Sequence, residues 1–112
     1  MKIYHNPRCR KSRETLEIIQ NKGVEPEIIE YLKTPPTAKE LKEVLDKLGM
    51  EPEQIIRKGE QVFKDHYKGK DYSASEWIKI LAKNPILIER PIVVKQDKAV
   101  IGRPPENVKA LF

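Results

Sequence analysis

The chain opens with a short apolar run, "KIY" at residues 2–4, followed at once by the turn residues "HNPR". Such a run predicts a buried strand, and Pro7 stops regular pairing behind it. From Lys11 or Ser12 to about Gln20 the residues favour helix, with Leu16 and Ile19 on one face. Asn21-Lys22-Gly23 supplies the stop. "EIIEYL" at 27–32 reads as a second strand. Strand, helix, strand with short connections is a βαβ unit, which predicts two parallel strands.

The pattern then changes. Thr37 is placed to cap a helix containing Glu40, with Leu41, Val44, Leu45 and Leu48 on one stripe and Gly49 as its end. A short helical piece is expected from Pro52, and another over residues 60–67. Ser73 with Glu76 resembles a capping box for a helix that turns Trp77, Ile80 and Leu81 inward, and Asn84-Pro85 terminates it. Residues 37–84 thus read as a helical insertion. Beyond it, "PIVVK" (91–95) and "KAVIG" (98–102) are β-branched runs around a tight polar turn, an antiparallel hairpin. "RPPENVKALF" reads as a loop with a short helix. The order is β-α-β, helical insert, β-β-α: a single α/β domain over residues 1–112.

Composition narrows the choice. With 38% hydrophobic and 35% charged residues in 112, the chain reads as folded rather than disordered. No apolar run approaches a membrane span, and the first residues lack a secretory h-region, so a cytoplasmic protein is expected. One cysteine excludes an intrachain disulfide. With only His5 and His66 besides, no metal-ligand cluster of recognisable spacing exists, and no metal is expected. The net charge of +5 is localised: Lys2, Arg8, Arg10, Lys11 and Arg13 lie in residues 1–13 without an acid, and the other 17 basic residues balance 17 acidic ones. A nucleic-acid binder would more often show a broad basic face; an excess at one loop fits a small anion better.

The lone thiol, Cys9, sits inside that excess. A cysteine at the start of a helix is stabilised as thiolate by unpaired backbone N–H groups and the helix dipole, and neighbouring cations add to this. A reactive thiolate in an anion-attracting loop is expected; the alternative is a free surface cysteine in a basic stretch. Ser12 stands where a C-x-x-C motif would place its second thiol, so no dithiol cycle can run in this loop. Its hydroxyl could bond the thiolate or cap the helix. The cysteine-phosphatase pattern also fails, because Thr15 stands six positions after Cys9 where an arginine is required.

Taken together, "IYHNPRCRKSRETLEII", "IIRKGE", "PILIERPIVV" and "IGRPPENV" resemble the glutaredoxin-dependent arsenate reductases, from about residue 3 to 111 and in the family's order. The resemblance implies a thioredoxin-like fold with an inserted helical subdomain. It implies Cys9 as the nucleophile towards arsenate, Arg57, Arg90 and Arg103 as oxyanion ligands, and His5 as a support for the ionised thiol. Pro91 falls where such folds place a cis-proline. No bound cofactor is implied; glutathione would act as co-substrate and glutaredoxin as partner, in arsenic detoxification. Taken singly, without the resemblance, each arginine reads more readily as a structural residue than as a catalytic one.

Arg8, Arg10 and Lys11 depart from the small residues usual beside the family's cysteine. The same superfamily contains Spx-type regulators that bind RNA polymerase, and an adaptor of that kind is the alternative, although Ser12 removes the C-x-x-C switch those proteins typically carry. A glutathione-linked reductase of another substrate is a third possibility. Direct nucleic-acid binding and membrane association are not expected.

Overall fold

The computed structural model describes all residues, Met1–Phe112, and divides into two compact units. The first comprises residues 1–34 and 90–112, the second residues 35–89.

In the first unit, β1 (Lys2–His5) is followed by α1 (Arg10–Asn21) and β2 (Glu27–Glu30), and the chain returns later with β3 (Ile92–Lys95) and β4 (Lys98–Ile101). The sheet order is β2-β1-β3-β4. β1 and β2 are parallel, as the βαβ reading requires, with Ile3 opposite Ile28 and His5 opposite Glu30. β1 also pairs antiparallel with β3, Ile3 opposite Val93. The hairpin forms as expected, pairing Ile92 with Ile101, and Gln96 in its turn takes a positive φ of 55°. Central strands are covered on both faces, which is why Ile3, Tyr4, Ile92, Val93 and Val94 form an almost unbroken apolar set, all buried.

α1 lays Ile19 against Ile3 and Val93, together with Val108 and Leu111 from a C-terminal 3-10 helix, Pro105–Leu111. The helix ends as its sequence demands, at Lys22 followed by Gly23 with φ 79°. β2 stops at Glu30 rather than reaching residue 32, because Tyr31, Leu32 and Lys33 turn away, with Lys33 and Thr34 N–H both donating to the Glu30 carbonyl at 2.9 Å. This is a thioredoxin-like fold, a mixed four-stranded sheet with α1 packed on it.

The second unit holds α2 (Ala38–Leu48), α3 (Gln61–His66) and α4 (Ala74–Lys83), with 3-10 turns at Pro52–Ile55 and Pro85–Leu87. Thr37 with Glu40 and Ser73 with Glu76 both close reciprocal capping boxes. α2 buries Leu41, Val44 and Leu45, leaving Leu48 half-exposed. In α4 Ile78, not the expected Ile80, is buried beside Trp77 and Leu81. The apolar stripe there is wide, and positions 77, 78 and 81 define its centre. Phe63, Tyr67 and Tyr72 gather around Trp77, with Tyr72 edge-on at 4.9 Å between ring centroids. An isolated antiparallel bridge, Ile56 to Ile88, ties the ends of this unit, a pairing no hydrophobic pattern announced. No helix in the chain is long and apolar enough to cross a membrane.

Candidate active site

Cys9 is the N-cap residue of α1, half-buried, in extended conformation at φ −93° and ψ 122°. Pro7 and the Asn6 carbonyl set this up: the Cys9 N–H donates to Asn6 O at 3.0 Å, and the Arg8 N–H to Asn6 Oδ1 at 3.0 Å, a tight turn that delivers the thiol to the helix end. The Cys9 carbonyl takes the first helical bond, from Arg13 N–H at 3.0 Å. The N–H groups of Arg10, Lys11 and Ser12 are therefore left without helical partners, as at every helix start.

Two guanidinium groups reach the sulfur, and both come from the far end of the sequence. Arg103 Nη2 lies 3.5 Å from Cys9 Sγ, and its Nε donates to the Arg90 carbonyl at 2.8 Å. Arg90 also hydrogen-bonds the thiol and interacts with Tyr31. Burial pushes the Cys9 thiol up; the Ser12 backbone N–H, the Arg90 hydrogen bond and the charges of Arg103 and Arg90 outweigh it and hold the thiol below its ordinary value. The Ser12 N–H acts on the sulfur without closing a full capping hydrogen bond.

The junction behind the two arginines is tightly packed. Both Arg90-Pro91 and Arg103-Pro104 are cis, the first as expected. Gly102 N–H donates to the Pro91 carbonyl at 2.9 Å. A side chain at Gly102 would press on Pro91 Cγ at 2.8 Å and on Thr15 Cγ2 at 3.0 Å. Thr15, fully buried on α1, donates from Oγ1 to the Lys11 carbonyl at 2.8 Å. Sequence reasoning noted Thr15 only as the residue that broke a phosphatase pattern; its small side chain opposite a glycine was the available signal.

The local cations and the Ser12 hydroxyl are placed otherwise than expected. Arg8, Arg10, Lys11 and Arg13 surround Cys9 in sequence but are exposed, and none is among the groups that lower its pKa. Arg10 is occupied by Glu14 at 2.7 Å and Arg13 by the Pro7 carbonyl at 3.0 Å. Side chains adjacent along a helix start splay outward, so local charge did not become charge on the sulfur. The Ser12 hydroxyl neither bonds the thiol nor caps the helix: buried, it accepts from Asn6 N–H at 3.0 Å and meets His5 Nδ1 at 2.6 Å. His5 accordingly reaches Ser12 rather than Cys9. Its pKa lies below the ordinary value because burial disfavours the charged ring, helped by Arg13 and opposed by Glu30. Arg57 lies in the second unit, where Glu89 holds its Nη1 at 2.8 Å and Glu60 its Nε at 3.4 Å.

A thioredoxin-like sheet, a single thiol at a helix N-terminus and two arginines on its sulfur define a thiol protein whose one cysteine sits among cations. The sequence profile of the ArsC family matches residues 4–111, and the chain belongs to that family. It is 47% identical to the uncharacterized protein YfgD of Escherichia coli K12 over 110 residues, 96% of this chain and 92% of that one. It is 44% identical to an arsenate reductase of Haemophilus influenzae, covering 95% and 93%. A solved arsenate reductase from Vibrio cholerae superposes with a TM-score of 0.95 at 42% identity, covering 100% of this chain and 98% of that one.

Proposed function

We propose that the protein is an arsenate reductase in which the Cys9 thiolate is the nucleophile. The observation that carries this reading is the pair of guanidinium groups on the sulfur, Arg103 at 3.5 Å and Arg90 hydrogen-bonded to it. Guanidinium forks match the oxygens of a tetrahedral oxyanion, and the free N–H groups of the first turn of α1 add donors at the same end. The named arsenate reductases among the relatives support arsenate over its isosteric rival phosphate, which has the same shape and charge but no accessible lower oxidation state.

The chemistry balances as follows. The Cys9 thiolate sulfur bonds to arsenic, and an arsenate hydroxyl takes up one proton from solvent and leaves as water, giving a thiol–arsenic(V) adduct. The chain has no second cysteine, so an external thiol must finish the reaction. Its sulfur attacks Cys9 sulfur; the S–S bond forms, the S–As bond breaks, and the electron pair stays on arsenic, released as arsenite. We assign glutathione to that role, and glutaredoxin to attack on the resulting mixed disulfide, which restores Cys9. Arg90 and Arg103 offset the oxyanion charge throughout. Arg57 is a third candidate ligand; already held by Glu60 and Glu89, it is expected to matter less than the other two. A reducing cytoplasm suits a thiol that must remain free.

The test is arsenate-dependent NADPH oxidation with glutathione, glutathione reductase and glutaredoxin, wild type against Cys9→Ser. Turnover lost in Cys9→Ser and on omitting glutaredoxin is the expected result. A folded protein with a reduced, accessible Cys9 and no turnover would refute the assignment.

A further inference from the structure

A guanidinium on a long, flexible stem keeps one geometry only where something anchors it. Arg103 has such an anchor in the Arg90 carbonyl, which accepts from its Nε at 2.8 Å. Arg90, half-buried, interacts with Tyr31 as well as with the Cys9 sulfur. Tyr31 is 1% exposed, and its hydroxyl oxygen and the Arg90 Nε are both sealed from solvent.

The sheet brings these residues to one end. β1 has β2 on one side and β3 on the other. His5, the last residue of β1, lies opposite Glu30, the last of β2, so Tyr31 follows where the Cys9 loop leaves β1. Tyr4 lies opposite Ile92, the first residue of β3, so Arg90 enters the sheet at that same end. The backbone beside Tyr31 is pinned, because the Glu30 carbonyl accepts from both Lys33 and Thr34 N–H. A packed ring on a bonded turn is a fixed post. A guanidinium only donates, so the phenol oxygen is the accepting side of the pair, and the fork keeps further N–H groups for the sulfur.

We propose that Tyr31 is a positioning residue for the Cys9 nucleophile, its buried hydroxyl anchoring the Arg90 guanidinium on the sulfur. The proposal deepens the reading of Cys9 given above and rests on it for the arsenate step alone. Tyr31, in sequence one member of the run "EIIEYL", thereby takes a share in the acidity of the thiol through Arg90.

The test is the rate of Cys9 alkylation by iodoacetamide across pH, on the full chain. Tyr31→Phe keeps the ring and deletes the acceptor. It should move the midpoint upward and, below the midpoint, slow alkylation about threefold or more, the scale of one hydrogen bond. In an Arg90→Ala background the same change should have no effect. An unmoved midpoint overturns the proposal. So does equal slowing with and without Arg90, which is what a ring that merely supports the loop would give. A second arm leaves Tyr31 intact: in a chain with ¹³C-labelled tyrosine, the Tyr31 Cζ signal should shift on Arg90→Ala and stay in place on Arg8→Ala. A signal that ignores Arg90→Ala overturns the proposal too. Neither arm uses arsenate, so the two readings fail separately: the expected alkylation pattern without arsenate turnover removes the reductase assignment alone, and turnover with an unmoved Tyr31→Phe midpoint removes the role of Tyr31 alone.

Discussion

Gly102→Ala tests whether the packing behind the arginines sets their position. Gly102 does not lie in the left-handed region, so alanine meets no backbone penalty and the effect must be steric. The new methyl would press on Pro91 Cγ at 2.8 Å and Thr15 Cγ2 at 3.0 Å, both in buried residues. Neither can swing aside: Pro91 is a ring in the backbone, and Thr15 is fixed on α1 by its bond to the Lys11 carbonyl. Overpacking of this kind costs about 1–3 kcal/mol. The strain falls between Arg90-Pro91 and Arg103, so it should also lengthen the 3.5 Å contact to Cys9. A charged hydrogen bond contributes about 1.5–3 kcal/mol, so its loss should lower kcat/KM for arsenate by about tenfold or more. Urea denaturation and steady-state kinetics measure the two effects. Thr15→Ala, added to Gly102→Ala, removes the Thr15 half of the clash, so the pair should lose less stability than the two single losses combined, by about 0.5–3 kcal/mol. A neutral Gly102→Ala, or additivity within about 0.5 kcal/mol, would refute the reasoning.

Arg103→Ala and Arg90→Ala should each move the pH midpoint of Cys9 alkylation upward, because each cation favours the thiolate, while Arg8→Ala leaves it in place. Ser12→Ala should destabilise by about 1–3 kcal/mol in denaturant, since it strands the buried Asn6 N–H and His5 Nδ1; its backbone N–H, the part that faces the sulfur, stays. Cys9 titrates below its ordinary 9.0 in the folded chain, so between those two values the unfolded chain binds more protons. Wild type should therefore gain stability over Cys9→Ala as pH rises towards 9.0 and lose that margin as pH falls through the folded value; a pH-independent difference in unfolding free energy would contradict this. His5 is also depressed, below 6.5, so acidification through 6.5 should destabilise wild type more than His5→Gln.

Elements governed by local chemistry were legible in the sequence. Thr37–Glu40 and Ser73–Glu76 announce their own helix starts, and β-branched runs around Gln96-Asp97 announce the hairpin. Cys9 at the start of α1 followed from Pro7 and the helical residues behind it. What failed was inference of side-chain direction. Four cations adjacent to Cys9 suggested a local field, yet the field comes from Arg90 and Arg103, whose approach depends on β3 pairing with β1. Only the family resemblance pointed to them. Ser12 was expected to bond the thiolate or cap the helix; its buried bond to His5 spans a turn that no periodicity describes.

The distance along the chain between Cys9 and its partner Arg103, 94 residues, gives the thiol a history. Domains are synthesised from the N-terminus, so the ribosome releases the cysteine first and the hairpin bearing its activators last. A nascent or truncated chain that stops short of residue 90 therefore exposes the thiol without either guanidinium. The full set of groups that hold its pKa down assembles only when β3 slots in beside β1 and Arg103 closes on the sulfur. Full reactivity in this protein is a certificate of completed folding.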